Sequence, residues 1–412
     1  MLEFLTKHAD LIGVLFMPLT YGFVGWFTNW VALKMTFYPI KFWGIPPYLG
    51  WQGIIPRKAH KMASKSVDVI TGRLLKVEEI FDKIDPVIIE KVLRPMIKPI
   101  LRDLTKDIVD QIRPGLWPIL PEIVRNQIHQ ESERQIPEGI QSIILGIRNN
   151  VNGLFDLKGM VLKKLSGDNV GLVVKLFQTV GGPEFKFIEI SGLYFGLLLG
   201  LIQMCVWFFF PIWWTLPIQG IIVGYLTNWL ALEMIFRPFY EKKYFFFFRY
   251  QGLFLKRQAG VSNEYAKFVA NHILTSKNIL EEIILGRAAD EVFEIIKKAI
   301  IAAFENTSTI SHPFITFSLG PEKYLEIREE IVRRMSEIAP KSIDSIEQYV
   351  EDSMDIEETM ASRMRALPPE EFESILRSAF QEDELLLILI GAVLGAAVGL
   401  GQAFYMLAFP AL

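Results

Sequence analysis

The stretch Gly25-Trp26-Phe27-Thr28-Asn29-Trp30-Val31-Ala32-Leu33-Lys34-Met35-Thr36-Phe37-Tyr38-Pro39 decides the reading of this chain, because it returns as Gly224-Tyr225-Leu226-Thr227-Asn228-Trp229-Leu230-Ala231-Leu232-Glu233-Met234-Ile235-Phe236-Arg237-Pro238. From Gly25 to Gly224 the shift is 199 residues. A match of this length inside one chain reads as an internal duplication. Outward from it, Pro18 matches Pro217, Gln52-Gly53 matches Gln251-Gly252, Arg57-Lys58 matches Lys256-Arg257, and Asp156-Leu157 matches Asp355-Ile356. Gly192, Gly196, Gly200 and Gln203 match Gly391, Gly395, Gly399 and Gln402 at the same shift. The predicted repeats are residues 1–209 and 210–412, each reading apolar segment, long polar stretch, apolar segment.

These motifs resemble those of a bacterial membrane-protein family, domain of unknown function 445. The likeness lies in Thr28-Asn29-Trp30, Ala32, Met35, Phe37 and Pro39, followed by Gln52-Gly53 and a basic pair, and in the same positions of the second copy. It also lies in Leu367-Pro368-Pro369-Glu370-Glu371 and the glycine series that closes the chain. Ile55-Pro56-Arg57-Lys58 fits the family's isoleucine–proline–basic signature, whereas Leu255-Lys256-Arg257 lacks the proline. The resemblance implies a multi-pass bacterial membrane protein and no particular biochemical activity.

Composition agrees with that class. The chain is 51% hydrophobic and 13% aromatic, yet 22% charged, which suggests membrane segments alternating with solvated ones. Its single cysteine, Cys205, excludes an intrachain disulfide framework. The N-terminal apolar run, preceded by Lys7, His8 and Asp10, reads as a retained span and not as a cleaved signal peptide.

Residues 11–33 carry no charge, enough helix for a hydrocarbon core of roughly 30 Å. Residues 190–232 are also uncharged, too long a run for one span, and Pro211 and Pro217 supply a turn between two. Four spans are expected: about 11–36, 190–210, 217–237 and 385–409. The alternative is that the motif segments dip in and out as re-entrant hairpins. With four spans, the polar stretches 57–189 and 256–384 lie on one side and both termini on the other. The repeats are then parallel, related by a pseudo-twofold axis along the membrane normal. Lys41, Arg57, Lys58, Lys61 and Lys65 follow the first motif with no acid between Thr36 and Val67. Arg237, Lys242, Lys243, Arg249, Lys256 and Arg257 follow the second. The positive-inside rule puts both collars and both soluble stretches in the cytoplasm of a cell with an inner membrane.

The polar stretches read as helical. Ile84, Ile88, Val92, Met96, Ile100, Leu104, Ile108 and Ile112 recur every four residues and predict one long helix, broken afterwards by Pro114, Pro118 and Pro121. Ile279 to Phe304 and Tyr324 to Val350 predict two more. The fold class expected is therefore all-α: four transmembrane helices plus two long-helix soluble domains. Residues 57–189 carry net +4 and residues 256–384 net −10, so the two soluble domains are expected to dock through opposite charge.

The candidate site residues fall into four groups. Thr28, Asn29, Gln203, Thr227, Asn228 and Gln402 are polar groups inside spans, suited to bonding between helices or to a transport path. Lys34 and Glu233 occupy equivalent positions and form a candidate ion pair, although snorkelling to the interface is an alternative for both. Arg57, Lys58, Lys242, Lys243, Lys256 and Arg257 form a candidate lipid-headgroup collar. They accompany the interfacial aromatics Phe37, Tyr38, Phe42, Trp43, Tyr48 and Trp51, and Phe236 to Phe254 in the second copy. Gly192, Gly196, Gly200, Gly391, Gly395 and Gly399 are small-residue ridges for helix packing.

Enzyme signals are poor. The five histidines are scattered without metal-type spacing, and no phosphate-binding glycine loop or nucleophile elbow occurs. No cofactor is expected. The expected partners are membrane lipids, anionic ones first, with a homo-oligomer possible and no nucleic acid. The reading is a non-enzymatic membrane scaffold or lipid-interacting protein, with a transporter or channel built on the Asn/Gln cluster as the alternative.

Overall fold

The computed structural model describes residues 9–45, 49–112, 114–210, 212–244, 248–308, 325–326, 329–330, 332–334, 337, 341–377 and 384–408. In chain order the principal helices are α1 (Ala9–Phe37), α2 (Pro86–Ile112), α3 (Ile136–Asn149), α4 (Gly182–Phe209), α5 (Thr215–Phe236), α6 (Ser276–Leu285), α7 (Ala289–Ser308), α8 (Ile343–Met354) and α9 (Glu384–Ala408). Shorter helices link them. Helix dominates, but the all-α expectation needs a correction: two antiparallel two-stranded hairpins follow α1 and α5. β1 (Trp43–Ile45) pairs with β2 (Leu49–Trp51), and β3 (Lys242–Tyr244) with β4 (Phe248–Tyr250). Strand-forming aromatics favour this local pairing, and the residues between the strands, Pro46-Pro47-Tyr48 and Phe245-Phe246-Phe247, match no two-residue hairpin signal.

Among the described residues, three helices, α4, α5 and α9, are long and apolar enough to cross a membrane. α1 has 29 residues and carries no charge from Leu11 to Leu33. Each motif segment is one continuous helix, with Pro18 accommodated inside α1. The chain falls into two compact units, each drawing on both halves of the sequence.

The first unit comprises Met1–Val69, Leu162–Tyr265 and Ala361–Leu412. Within it α1 packs along α4 and α5 packs along α9, and the two pairs meet. Met17, Tyr21, Leu216, Val223, Ala403 and Met406 form a core where they do. The outward faces are apolar and exposed, as at Leu15, Phe16, Leu19 and Phe23 on α1, or Leu385, Leu389 and Val393 on α9. Thr28, Asn29, Gln203, Thr227 and Asn228 are buried instead. Polar groups inside and apolar groups outside is the arrangement a hydrocarbon surround favours.

The second unit comprises Ile70–Val161 and Ala266–Met360. α2 packs against α3 and α8, α3 against α7, and α6 against α7 and α8. α2 covers most of the predicted run from Ile84 to Ile112 and accommodates Pro95 and Pro99. The expected helix from Ile279 to Phe304 is instead two, α6 and α7. Gly286 ends the first, at a point where any side chain would strike the backbone of Glu282. Of the expected helix from Tyr324 to Val350, the C-terminal part belongs to α8, while residue 324 and eight residues between 327 and 340 lie outside the described residues. Parts of the two polar stretches share this unit, and two ion pairs between them run against the net charges. Arg334 and Arg287, from the acidic stretch, meet Asp107 at 2.8 Å and Asp156 at 3.9 Å in the basic one. Much of the rest is apolar packing, with Ile140, Ile279, Ile283, Val292 and Val350 buried.

Candidate membrane-interface site

Helix α1 ends where its apolar run ends. Thr36 closes the last turn onto the Ala32 carbonyl at 2.8 Å, and the chain then passes a Tyr38–Pro39 cis peptide into the first hairpin. The Arg237–Pro238 peptide after α5 is cis as well. The Gln-Gly motif shuts each hairpin at its base. Gln52 Nε2 donates to the Ile40 carbonyl at 2.9 Å, and Gln251 Nε2 donates to the Phe239 carbonyl at 2.9 Å. Gly53 N donates to the Pro39 carbonyl at 2.9 Å, and Gly252 N to the Pro238 carbonyl at 3.0 Å. A Cβ at Gly53 would sit 2.8 Å from the Tyr38 nitrogen, so this close approach requires glycine. The sequence carries the signal for this clamp: an amide followed by the smallest residue, twice, at one distance from a proline.

The hairpins project aromatic and cationic side chains. Trp43 is 77% exposed and Ile45 71%. Lys242, Lys243, Tyr240 and Tyr244 are exposed on the second hairpin. Arg249 lies 3.6 Å from Glu241, and the Tyr250 hydroxyl donates to the Met234 carbonyl. Burial pushes that phenol up to about 12. Tyr48 and Phe245 to Phe247 lie outside the described residues.

Lys34 stands between the helix and the first hairpin. Its ammonium lies 5.9 Å from the Trp30 ring centroid and 5.7 Å from that of Tyr38. No Lys34–Glu233 ion pair occurs among the described residues; the cation turns to the aromatic rings on its own helix turn. An open groove of ≈ 640 Å³ lies here, lined by Trp30, Lys34, Met35, Tyr38, Ile40, Trp43 and their neighbours.

The collar is not uniform. Arg57 closes the short helix Ile54–Arg57, and Lys58 follows it. Lys256 ends the equivalent helix Leu253–Lys256. Arg257, read from sequence as a headgroup contact, is committed to protein carboxylates. Its Nη1 donates to both oxygens of buried Glu184 at 2.7 and 2.9 Å, and its Nη2 reaches Glu264 at 3.4 Å. Arg377 makes a comparable pair with Glu384 at 3.0 Å and Glu373 at 3.1 Å.

The polar groups within the helices follow one scheme. Asn29 Nδ2 donates to the Ile188 carbonyl at 2.5 Å, and Asn228 Nδ2 to the Leu387 carbonyl at 2.8 Å. Thr28 and Thr227 donate back to Gly25 and Gly224 on their own helices at 3.1 and 3.4 Å. Asn29 Oδ1, Asn228 Oδ1, Gln203 Nε2 and Gln402 Oε1 are buried without a hydrogen-bond partner among the described residues. The glycines lie at the crossings. A Cβ on Gly192 would strike the Gly25 carbonyl, and one on Gly391 would strike that of Gly224. Gly196 and Gly200 meet Tyr21 and Pro18, while Gly395 and Gly399 meet Gly220 and Leu216. Among the described residues no group of three or more His, Cys, Asp or Glu is placed to hold a metal ion.

The chain is similar to two bacterial membrane proteins. One is a UPF0754 membrane protein of Thermosynechococcus vestitus, 39% identical over 69 residues, covering 15% of this chain and 16% of the relative. The other is a UPF0754 membrane protein of Staphylococcus saprophyticus, 32% identical over 95 residues, covering 22% of this chain and 25% of the relative. The matched stretches thus span a quarter or less of these relatives. No family model matches the chain. The likeness to the family of domain of unknown function 445 therefore rests on its motifs. Membrane localisation follows from the long apolar helices taken together with these membrane-protein relatives.

Proposed function

We propose that this is a tandemly duplicated inner-membrane protein with four spans, α1, α4, α5 and α9, that binds anionic lipid at its cytoplasmic face and performs no reaction. The duplication is supported by contacts that recur at the shift of the motif: the Asn29 and Asn228 bonds, the Gln52 and Gln251 clamps, and the two hairpins. α1 joins the spans because its outward face is as apolar as theirs and its partner along most of its length is α4. The observation that carries the lipid reading is the pair of hairpins. Each extends from a long apolar helix and exposes aromatics beside cations, a mixture suited to the headgroup layer. Arg57, Lys58, Lys242, Lys243 and Lys256 form the cationic part of this surface. A scaffold that gathers anionic lipid, as a monomer or a homo-oligomer, is the role that results.

The test is native mass spectrometry of the full chain purified from its membrane. Retained lipid enriched in anionic headgroups over the bulk membrane is expected. Retained lipid of bulk composition would overturn the reading. A transport reading draws on the four buried amide atoms without partners. It would displace the first if proteoliposomes showed an ion or solute flux that Asn29→Leu or Asn228→Leu abolished.

A further inference from the structure

Lys34 poses a specific problem. Its neighbours in the groove are Trp30, Met35, Tyr38, Ile40 and Trp43, all apolar or aromatic. The two rings beside its ammonium offer cation–π stabilisation, and no carboxylate pairs with it among the described residues. A cation on an apolar wall with only ring faces for company is a place where an anion adds stabilisation.

The wall continues along the helix. Phe23, Phe27, Trp30 and Lys34 stand three or four residues apart and so share one face of α1. Phe23 and Phe27 stack at 5.9 Å between centroids, and Phe27 and Trp30 at 6.0 Å. Leu19 and Phe16 extend this exposed stripe past the middle of the helix toward its N-terminal end. A small soluble anion has no use for such a stripe. An amphiphile with an anionic head and a hydrocarbon tail matches it end to end.

We propose that this groove seats one anionic phospholipid of the surrounding leaflet, its phosphate on Lys34 and an acyl chain along Trp30, Phe27 and Phe23. This rests on the lipid-binding reading above and goes further in naming the seat, the ligand class and the count. The second copy lacks the same seat. Glu233 stands where Lys34 would be, Arg237 where Tyr38 would be, and Lys242 where Trp43 would be. A carboxylate at that point repels phosphate, so each chain has one seat of this kind and not two.

The experiment uses the full chain in nanodiscs of phosphatidylcholine with or without phosphatidylglycerol, released and read by native mass spectrometry. Wild type is expected to keep one phosphatidylglycerol per chain that Lys34→Ala and Lys34→Glu lose, with occupancy falling about tenfold or more. Lys34→Arg keeps it, which shows that charge at this position is what matters, while an unfolding temperature like that of wild type shows that Lys34→Ala and Lys34→Glu fold. The variant Lys297→Ala, at an exposed lysine of the second unit, keeps the lipid too. If Lys34→Ala and Lys34→Glu retain the lipid like wild type, the seat is refuted while the general preference stands. If wild type shows no preference for phosphatidylglycerol, the underlying reading fails with it. If glycerol 3-phosphate displaces the retained lipid, the stripe contributes nothing and the assignment of a bilayer lipid is overturned.

Discussion

Glu184 is the residue on which the base of the membrane unit most depends. It lies in the first turn of α4 with its side chain 1% exposed, and both of its oxygens accept from Arg257. Removing one partner of such a pair leaves the other charge uncompensated, which costs more than the pair contributes. Arg257 is one-third exposed, so water softens that cost. Glu184→Ala is expected to destabilise the protein by ~1–3 kcal/mol, measured by thermal unfolding in mild detergent. The double variant Glu184→Ala/Arg257→Ala is expected to recover part of the loss, and Arg257→Lys not to substitute for arginine, because lysine lacks the planar fork. If single and double variants lose the same amount, the two residues are not coupled. The sequence marked Arg257 as a cation near the bilayer and no more. Its buried partner Glu184 is 73 residues away, and nothing local in either segment joins them. Lys34 was legible as an ionisable group at a span's edge, but Trp30 and Tyr38 became its partners only once one helical turn had set their distances.

Among elements, the helix crossings set the tightest limits. Gly25 and Gly192 place backbone on backbone, and Gly224 and Gly391 do the same in the second pair. Gly192→Val and Gly391→Val each force a methyl group into a carbonyl on the facing helix. Overpacking of this kind costs roughly 1–3 kcal/mol, so both variants are expected to lower the unfolding temperature, whereas Gly401→Ala, with open space around its Cβ position, is expected to be silent. Equal behaviour of all three would remove the crossings as a source of stability. In the second unit, the helix Glu122–Arg134 makes a different prediction. Burial pushes the Glu133 carboxyl up, but hydrogen bonds from Lys98 and Arg102 outweigh it and hold the group below its ordinary value. Burial, with Arg102 nearby, holds His129 below its ordinary 6.5. Both groups bind protons more weakly folded than unfolded, so the stability they provide is present above their ordinary values and is lost as pH falls. Acid unfolding of this helix, followed by hydrogen exchange, is expected to begin below about pH 6.5 through His129 and to steepen below the ordinary glutamate range. Glu133→Gln is expected to flatten the lower limb alone; an unchanged profile would count against it. The long helices were legible because a period of four residues or an uncharged run sustains itself over many turns. The hairpins were not, because three-residue strands show no period and aromatics suit strand and interface equally.

At the scale of the molecule, the residues matched at one shift were readable in the sequence, whereas the division into units was not. Each unit takes helices from both halves, and contact between segments hundreds of residues apart is written in side-chain shape, not in local pattern. Net charge says nothing of individual pairs for the same reason: Arg334–Asp107 and Arg287–Asp156 depend on which face of a helix each residue occupies. What the repeats do predict is sidedness. If α1, α4, α5 and α9 all cross the bilayer, Asn152 of the first half and Asp352 of the second must lie on one side, and Trp214, in the short turn before α5, on the other. The positive-inside rule, applied to the basic residues after each motif, predicts that the shared side is cytoplasmic. Single cysteines at these three positions, in a Cys205→Ser background, test this with a membrane-impermeant maleimide on right-side-out and inverted vesicles. Positions 152 and 352 are expected to react only in inverted vesicles and position 214 only in right-side-out ones. Positions 152 and 352 on opposite sides would mean an odd number of crossings between them, and the parallel repeat would fall. Both on the outer side would leave the repeat intact and overturn the assignment made from the basic collars, and with it a cytoplasmic leaflet as the source of the lipid at Lys34.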